Sequence, residues 1–131
     1  MAAKAPKIDL ICNIVVRRAD GRVLLEPNRP DDGRWWIPAH VLVPYEHPEV
    51  AAPKVLAGLR GLKSASVALV EIESFRGRSG WHVMFNYRVD VKGALKKNSG
   101  HAWFAPDALP QMVHGPWERG VIGRAVTAKR K

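Results

Sequence analysis

The chain has 131 residues, of which 47% are hydrophobic and 25% charged, a length and balance that suit one domain with a single core. Its 21 Lys and Arg residues against 12 Asp and Glu give a net charge of +9, which predicts attraction to phosphates, nucleotides or nucleic acid. The single cysteine excludes an intrachain disulfide and the lack of a long apolar run excludes a membrane span, so we expect a cytoplasmic protein.

The first predicted element is a β-hairpin. Residues 1–7 form a flexible basic arm, and residues 8–17 are apolar and β-branched, which predicts a buried strand. Residues 18–22 contain Asp-Gly, which is typical of a hairpin turn, and "VLLE" is the returning strand. After a loop of turn-forming residues, "WWIP" and "VLV" form two short extended pieces.

A helix follows, with apolar residues at helical spacing. Pro48 fits its first turn, where the missing N–H has no partner to lose, and Gly61 fits its end. Pro53 is anomalous, because inside a helix it removes a hydrogen bond and costs about 3 kcal/mol. We expect a distorted helix running roughly from Pro48 to Leu59, and the alternative is a helix that begins at Pro53.

Two strands of alternating polarity come next, joined by the hairpin loop "FRGRSG". Alternation predicts that Val70 and Ile72 share one face of the first strand. The polar positions of the two strands can form an acid/base set or a polar pocket, but a solvated face with cross-strand ion pairs is the simpler interpretation. The four polar residues in question are Glu71, Glu73, His82 and Arg88.

A short strand at "HAWFA" and a C-terminal helix opened by Pro116 complete the chain. No internal repeat or linker interrupts the sequence, so residues 8–128 form a single domain and residues 129–131 a basic tail. The order of elements predicts an α+β fold with a sheet between helices.

The stretch from His40 to Leu62 resembles the signature of the Nudix superfamily, whose MutT-like members usually hydrolyse a nucleoside diphosphate linked to another moiety. Laid on this chain without a gap, the signature finds Lys54 in place of its arginine and His40 in place of its first glycine. The positions that match are Glu46, Leu56, Gly61 and Leu62. The positions of the three helical glutamates hold Val55, Gly58 and Leu59. The Nudix box is therefore degenerate.

Other segments extend the resemblance over nearly the whole chain. "ADGRVLLEPN" looks like the opening hairpin of the superfamily, "GRWWIP" like the lead-in to the box, and "AWFAPDALPQM" like the usual ending. The resemblance implies the Nudix α/β/α sandwich with a mixed sheet.

One segment points to a branch of the superfamily. "NRPDDGRWWIPAHVLV" is similar to the corresponding part of GDP-mannose mannosyl hydrolases, which also lack the first helical glutamate. In that branch the arginine of the Asn-Arg-Pro segment is functional, which implies a functional role for Arg29. The catalytic histidine of the branch falls near Asn98, which is not a histidine.

The missing glutamates argue against the usual metal chemistry. Mg²⁺ requires oxygen ligands in nearly octahedral geometry, and a lone Glu46 does not supply them. His40, His47 and Glu49 flank Glu46, but their spacing follows no metal-ligand motif, and surface histidines are the simpler interpretation. We therefore expect no metal and no cofactor, with Mg²⁺ expected only if the protein is a hydrolase. Glu46 is at most a weak catalytic candidate.

The ligand-binding candidates lie in and before the degenerate box. A guanidinium such as that of Arg29 binds phosphate in a bidentate manner. The two adjacent tryptophans must face opposite sides of a strand, so one packs in the core and Trp36 is free to stack on a base or sugar. The predicted set is Arg29, Trp36, His40, Tyr45 and Glu46.

Three functions remain open at this point. The first is a Nudix-fold pseudo-enzyme that binds a nucleotide or another phosphate-bearing small molecule without hydrolysing it. The second is a hydrolase of nucleotide sugars or related diphosphates with a non-standard site. The third is a basic module that binds RNA or a ribonucleoprotein, as the net charge allows. A homodimer is a further expectation.

Overall fold

The computed structural model describes residues 7–29, 32–59, 61–77, 80–95 and 100–128. Most of the predicted arm, the predicted tail and Asn98 lie outside these ranges. The strands are β1 (Ile8–Arg17), β2 (Val23–Pro27), β3 (Trp35–Trp36), β4 (Ala39–Val41), β5 (Leu62–Gly77), β6 (Gly80–Gly93) and β7 (Ala102–Phe104). The helices are α1 (Pro48–Ala57) and α2 (Pro116–Thr127).

The strands form one mixed sheet in the order β3-β2-β1-β6-β5, with β4 paired to β1 and β7 paired to β2. β1 and β6 run parallel along their length, and the other pairs are antiparallel. The helices lie on opposite faces of this sheet, each over its own apolar core. The predicted α+β class and mixed sheet are therefore confirmed.

Alternation along β1 separates the two cores. Cys12, Ile14 and Val16 point to the face that α1 covers, which we call the α1 face. Val15 points to the opposite face, which we call the α2 face, because Val121 and Ile122 of α2 pack there. Since paired residues on neighbouring strands share a face, the register of β6 and β5 assigns each of their side chains to one of these two faces.

Helix α1 begins at Pro48, as predicted, and Pro53 lies inside it. The side chain of His47 caps its N-terminus by accepting a hydrogen bond from the backbone N–H of Glu49 at 3.2 Å. The helix ends at Ala57, about two residues earlier than predicted, and Gly58 is its C-cap. Glycine is a poor helix former, so it favours the exit at this position.

Strand β5 differs from its prediction in length and in facing. It begins at Leu62 and contains a bulge between Leu69 and Glu71. A bulge adds one residue to one strand, so the alternation changes phase there. Val70 therefore packs in the core of the α2 face while Ile72 pairs with Phe85 on the α1 face. The prediction that Val70 and Ile72 share a face is wrong for this reason.

Lys7, which the sequence assigned to the flexible arm, lies beside β6. Its carbonyl accepts a hydrogen bond from the backbone N–H of Trp81 at 2.8 Å. Within the described ranges, neither helix has the length and apolar character needed to cross a membrane.

Candidate functional site

The carboxylate of Glu46 is held by two side chains and one backbone group. Oε1 lies 2.7 Å from Nε2 of His40 and accepts a bond from the N–H of Val43 at 3.2 Å, while Oε2 lies 2.7 Å from Nζ of Lys54. These hydrogen bonds, with that of Lys54 the strongest, lower the pKa of Glu46 to about 2. The side chain is only 6% exposed. This His40–Glu46–Lys54 cluster ties the end of β4 to α1.

The three positions that align with the helical glutamates of the Nudix signature carry no side-chain oxygen. Leu59 is 5% exposed and belongs to the core of the α1 face, and Val55 packs against the same core. Gly58 caps the helix. None of these three residues therefore supplies a side-chain oxygen ligand for a divalent cation.

The remaining candidates for a metal site do not converge either. His47 is engaged as the N-cap of α1 rather than as a ligand. Across the described part of the chain, no three His, Cys, Asp or Glu side chains are placed to hold a metal ion. Together with the engagement of Glu46, this means that the residues present do not fit Mg²⁺.

Arg29 and Tyr45, two other predicted ligand-binding residues, are exposed and are not part of the His40–Glu46–Lys54 cluster. Arg29 is exposed in the loop after β2, and its Nε lies 3.8 Å from Oδ2 of Asp32. Tyr45 is fully exposed in a turn and has a positive φ of 70°, an uncommon conformation for a bulky residue. Its side chain points into solvent, so it does not narrow the surroundings of Glu46.

Trp36 belongs to a different group of side chains. It lies on β3 opposite Glu26, whose Oε2 lies 3.3 Å from Nε2 of His101. Burial raises the pKa of Glu26, and His101 partly opposes this effect. Trp35 faces the other way and packs on Phe104, with ring centroids 5.0 Å apart. The predicted opposite facing of the two tryptophans is confirmed.

A cavity lies on the α2 face, and none of the five predicted ligand-binding residues lines it. We call it the aromatic cleft; its volume is about 900 Å³. The lining residues are Ile11, Arg34, Phe75, Gly77, His82, Met84, Val113, His114 and Trp117. This lining is mostly apolar, includes one arginine and two histidines, and among the described residues includes no carboxylate.

One wall of the cleft is formed by a cross-strand pair. Phe75 and His82 lie opposite each other on β5 and β6, and their rings stack at 5.7 Å with an angle of 9°. A Cβ at Gly77 would overlap the imidazole of His82, so only glycine at this position leaves room for the ring. Nε2 of His82 is buried and lies 3.7 Å from Oδ2 of Asp9, which is beyond hydrogen-bond distance.

The opposite wall comes from the start of α2. Glu118 is fully buried, and its carboxylate accepts hydrogen bonds from the backbone N–H of His114 at 3.0 and 3.2 Å. Nδ1 of His114 lies 3.0 Å from Oε2 of the same carboxylate, so one buried group fixes the imidazole. Trp117 donates its Nε1–H to Glu73 at 3.2 Å. Both aromatic side chains are therefore held in defined orientations.

The four polar residues singled out on β5 and β6 do not form one site. Glu71 and Glu73 share a face as predicted, and Glu71 pairs with Arg124 of α2 at 2.9 Å. Arg88 is buried and donates to the carbonyls of Ala125 and Ala128 at the end of α2. His82 lines the aromatic cleft instead. Helix α2 and its C-cap provide the partners of Glu71 and Arg88, so these two side chains tie the sheet to α2 rather than forming a solvated surface.

Sequence reasoning missed most of the aromatic cleft. The hairpin between β5 and β6 could have placed Phe75 opposite His82, because pairing across a short loop fixes the register. No local pattern could have brought Arg34 and His114 to the same cavity, because their proximity depends on the backbone pairing of Trp35 with residues 111–113 before α2. Those contacts are long-range and are not encoded in spacing.

No protein-family model and no curated protein sequence matches the chain. Solved structures do. The MutT protein of Bacillus halodurans is similar with a TM-score of 0.74 and 17% identity, over 93% of this chain and 84% of that chain. The MutT Nudix hydrolase of Burkholderia pseudomallei gives a TM-score of 0.68 and 22% identity, over 90% of this chain and 98% of that chain.

The ORF135 protein of E. coli is also similar, with a TM-score of 0.69 and 20% identity over 90% of this chain and 88% of that chain. Together with the mixed sheet between two helices, these similarities show that the chain has the Nudix fold. Identities of 17–22% establish the fold and not the activity.

Proposed function

We propose that this Nudix-fold protein binds a nucleotide or a related phosphate-bearing ligand and does not hydrolyse it by metal chemistry. The observation that carries the proposal is the state of the degenerate box. Val55 and Leu59 are part of a packed core, and Gly58 is a helix cap. A metal site cannot form there by small side-chain movements, because these three residues have no side-chain oxygen.

The retained Glu46 supports the same conclusion. Both of its oxygens are engaged by His40 and Lys54, so binding a cation would require breaking a charge-assisted hydrogen bond. A carboxylate with a pKa of about 2 is also a weak base for activating water at neutral pH. Glu46 is therefore assigned a structural role.

The aromatic cleft is the place we propose for the ligand. Its volume of about 900 Å³ is within the range of cavities that hold drug-sized molecules, roughly 300–1,000 Å³. The stacked rings of Phe75 and His82 offer a flat surface on one wall, and the ring of Trp117 lies on the other. Such surfaces accept a planar base by stacking.

The charges of the cleft favour an anionic group on that ligand. Arg34 lines the cleft and has a partly exposed guanidinium, with Nη2 at 3.4 Å from Oδ2 of Asp32. His114 adds a nitrogen whose ring is fixed by Glu118. A planar group at the stacked wall and a phosphate toward Arg34 together describe a nucleotide-like ligand.

A thermal-shift screen against nucleotides and nucleotide sugars, run with Mg²⁺ and with a chelator, tests the proposal. A ligand of the folded state raises the melting temperature by mass action. We expect a nucleotide to raise it equally in both conditions. Arg34→Ala should weaken the binding about tenfold, since a charge-assisted hydrogen bond is lost.

Two other arginine variants locate the ligand. Arg22→Ala removes the same charge from an exposed side chain outside the cleft and should leave the affinity unchanged. Arg29→Ala tests the loop that the sequence predicted. If Arg29→Ala weakens binding and Arg34→Ala does not, the ligand lies at the predicted loop and not in the cleft. If no nucleotide binds, the proposed function is wrong.

A second candidate function is metal-independent hydrolysis in the same cleft. The fixed pair of Glu118 and His114 favours it, because a carboxylate that orients an imidazole is an arrangement used for general-base catalysis. Release of product from a bound nucleotide sugar without metal, abolished by His114→Gln, would promote this candidate. The third possibility, nucleic-acid binding, predicts an affinity that falls steeply with salt concentration.

A further inference from the structure

The α1 face of the sheet carries an uncovered apolar surface. The side chains belong to the first half of β1, to β5 and to the start of β6, and the strand register places them all on this face. They are between 38% and 56% exposed. The six residues are Ile8, Leu10, Val67, Leu69, Ile72 and Trp81. We call this surface the apolar sheet face.

We infer that the apolar sheet face is the contact surface between two copies of this chain. When one face of a sheet is exposed to solvent, the side chains on that face are normally polar. Here the exposed face continues the apolar pattern of the buried core beside it, as the pairing of Ile72 with Phe85 and of Leu69 with Tyr87 illustrates. The inference is independent of the proposed ligand.

The size of the surface fits a dimer. Six large apolar side chains that are each about half exposed present roughly 500 Å² of apolar area. A stable interface buries about 800 Å² on each partner, and in homodimers about 65% of that area is apolar. The apolar sheet face therefore supplies about the apolar share that such an interface requires.

Charge also favours a second copy over an acidic partner. The chain carries +9 overall, so an anionic partner would be drawn to its basic surfaces rather than to an apolar one. Because two copies carry the same net positive charge, their repulsion is weakest where the contacting surfaces contain no charged side chains. On β5, the residues of this face run from Val67 to Ser74 without a charge, and Arg76 follows at the end of the strand. Like-charged copies can meet here at the least electrostatic cost.

Packing through the face is favoured over pairing through the edge of the sheet. β5 is the last strand of the sheet order, so one of its edges pairs with no other strand among the described residues. Two bulges, at Ser64/Ser66 and at Leu69/Glu71, interrupt its register. Bulges twist an edge strand and oppose continued pairing with another chain. Face-to-face packing of two sheets needs no such pairing.

Sedimentation velocity of the full chain over a dilution series tests the inference. We expect the wild-type chain to dimerise reversibly. Ile72→Lys and Leu69→Lys should each raise the dissociation constant tenfold or more, because each places a charge in the centre of the contact. Because both side chains are exposed in the folded chain, we expect both variants to fold, and circular dichroism should show the same secondary structure as in the wild type.

The matched control is Val41→Lys. Val41 is 57% exposed, against 56% for Ile72, but its pairing with Ile11 puts it on the opposite face of the sheet. This variant should dimerise like the wild type. A wild-type monomer at every concentration overturns the inference and leaves the face to another occupant. A dimer that survives both substitutions on the face, or that Val41→Lys disrupts equally, overturns it too.

Discussion

Nζ of Lys54 lies 2.7 Å from Oε2 of Glu46, and this contact joins the loop before α1 to the second turn of that helix. The two residues fall where the Nudix signature, which this stretch resembles, has its glutamate and its arginine. The contact holds the loop that contains Glu46 against α1. Under the proposed function, this segment serves as a scaffold rather than as a metal site.

The pKa of Glu46 leads to a pH-dependence of stability. Its folded value of about 2 lies below the ordinary value of 4.5, so the contribution is fully present above about pH 4.5 and is lost as the pH falls through 2. We expect the difference in free energy of unfolding between the wild type and Glu46→Gln to be constant near neutral pH and to shrink below pH 4.5. Urea unfolding at a series of pH values measures it. A difference that does not change with pH would show that the carboxylate is not held as described.

Pro53 should be replaceable with a gain in stability. Its ring removes a helical hydrogen bond in the interior of α1, and alanine restores the bond. We expect Pro53→Ala to raise the free energy of unfolding by about 2 kcal/mol, somewhat less than the intrinsic penalty because proline also restricts the unfolded chain. The control is Pro48→Ala at the first helical position, where proline is favourable, and which should give no gain. Equal effects at the two positions would contradict the account.

These elements show how far the sequence leads. The start of α1, its internal proline and the start of α2 follow from local rules on capping and proline, and the sequence predicts them correctly. The facing of Val70 does not follow, because nothing in the pattern marks the bulge between Leu69 and Glu71. Strand alternation is reliable only where the register is unbroken.

The candidate site divides in the same way. The absence of carboxylates at Val55 and Leu59 can be seen in the sequence, because it depends on residue identity alone. The hydrogen bonds of Glu46 with His40 and Lys54 can be recognised only in the three-dimensional structure. The aromatic cleft can also be recognised only in the structure, because residues of β5, β6, α2 and the loop before β3 line it together.

Glu118 should be important for stability although it lies on a helix end. Its buried carboxylate accepts the backbone N–H of His114, and Gly115 at the N-cap of α2 has no side chain to do so. We expect Glu118→Ala to lower the free energy of unfolding by about 2–3 kcal/mol, because it leaves a donor without its partner. Glu49→Ala, in the first turn of α1 but exposed, should lower it by less than about 1 kcal/mol. Urea unfolding of both variants decides the matter, and equal losses would contradict the role of Glu118.

Cys12 should be unreactive in the folded chain. It is fully buried, and burial, with a smaller effect of Glu46, raises its pKa to about 11. Relative to the ordinary value of 9.0, the thiolate fraction at neutral pH falls about a hundredfold. We expect alkylation by iodoacetamide to be at least that much slower in buffer than in urea. Similar rates in the two conditions would show that the core around Cys12 opens readily.

The most direct test of the account is hydrolysis of a broad panel of nucleoside triphosphates, nucleotide sugars and dinucleotides in the presence of Mg²⁺ or Mn²⁺. Because Val55, Gly58 and Leu59 provide no ligand and Glu46 is engaged by Lys54, we predict no turnover above the uncatalysed rate with either metal. Turnover in the usual enzyme range of about 1 per second or faster, abolished by Glu46→Gln, would contradict the account and establish a metal-dependent hydrolase with a non-standard site.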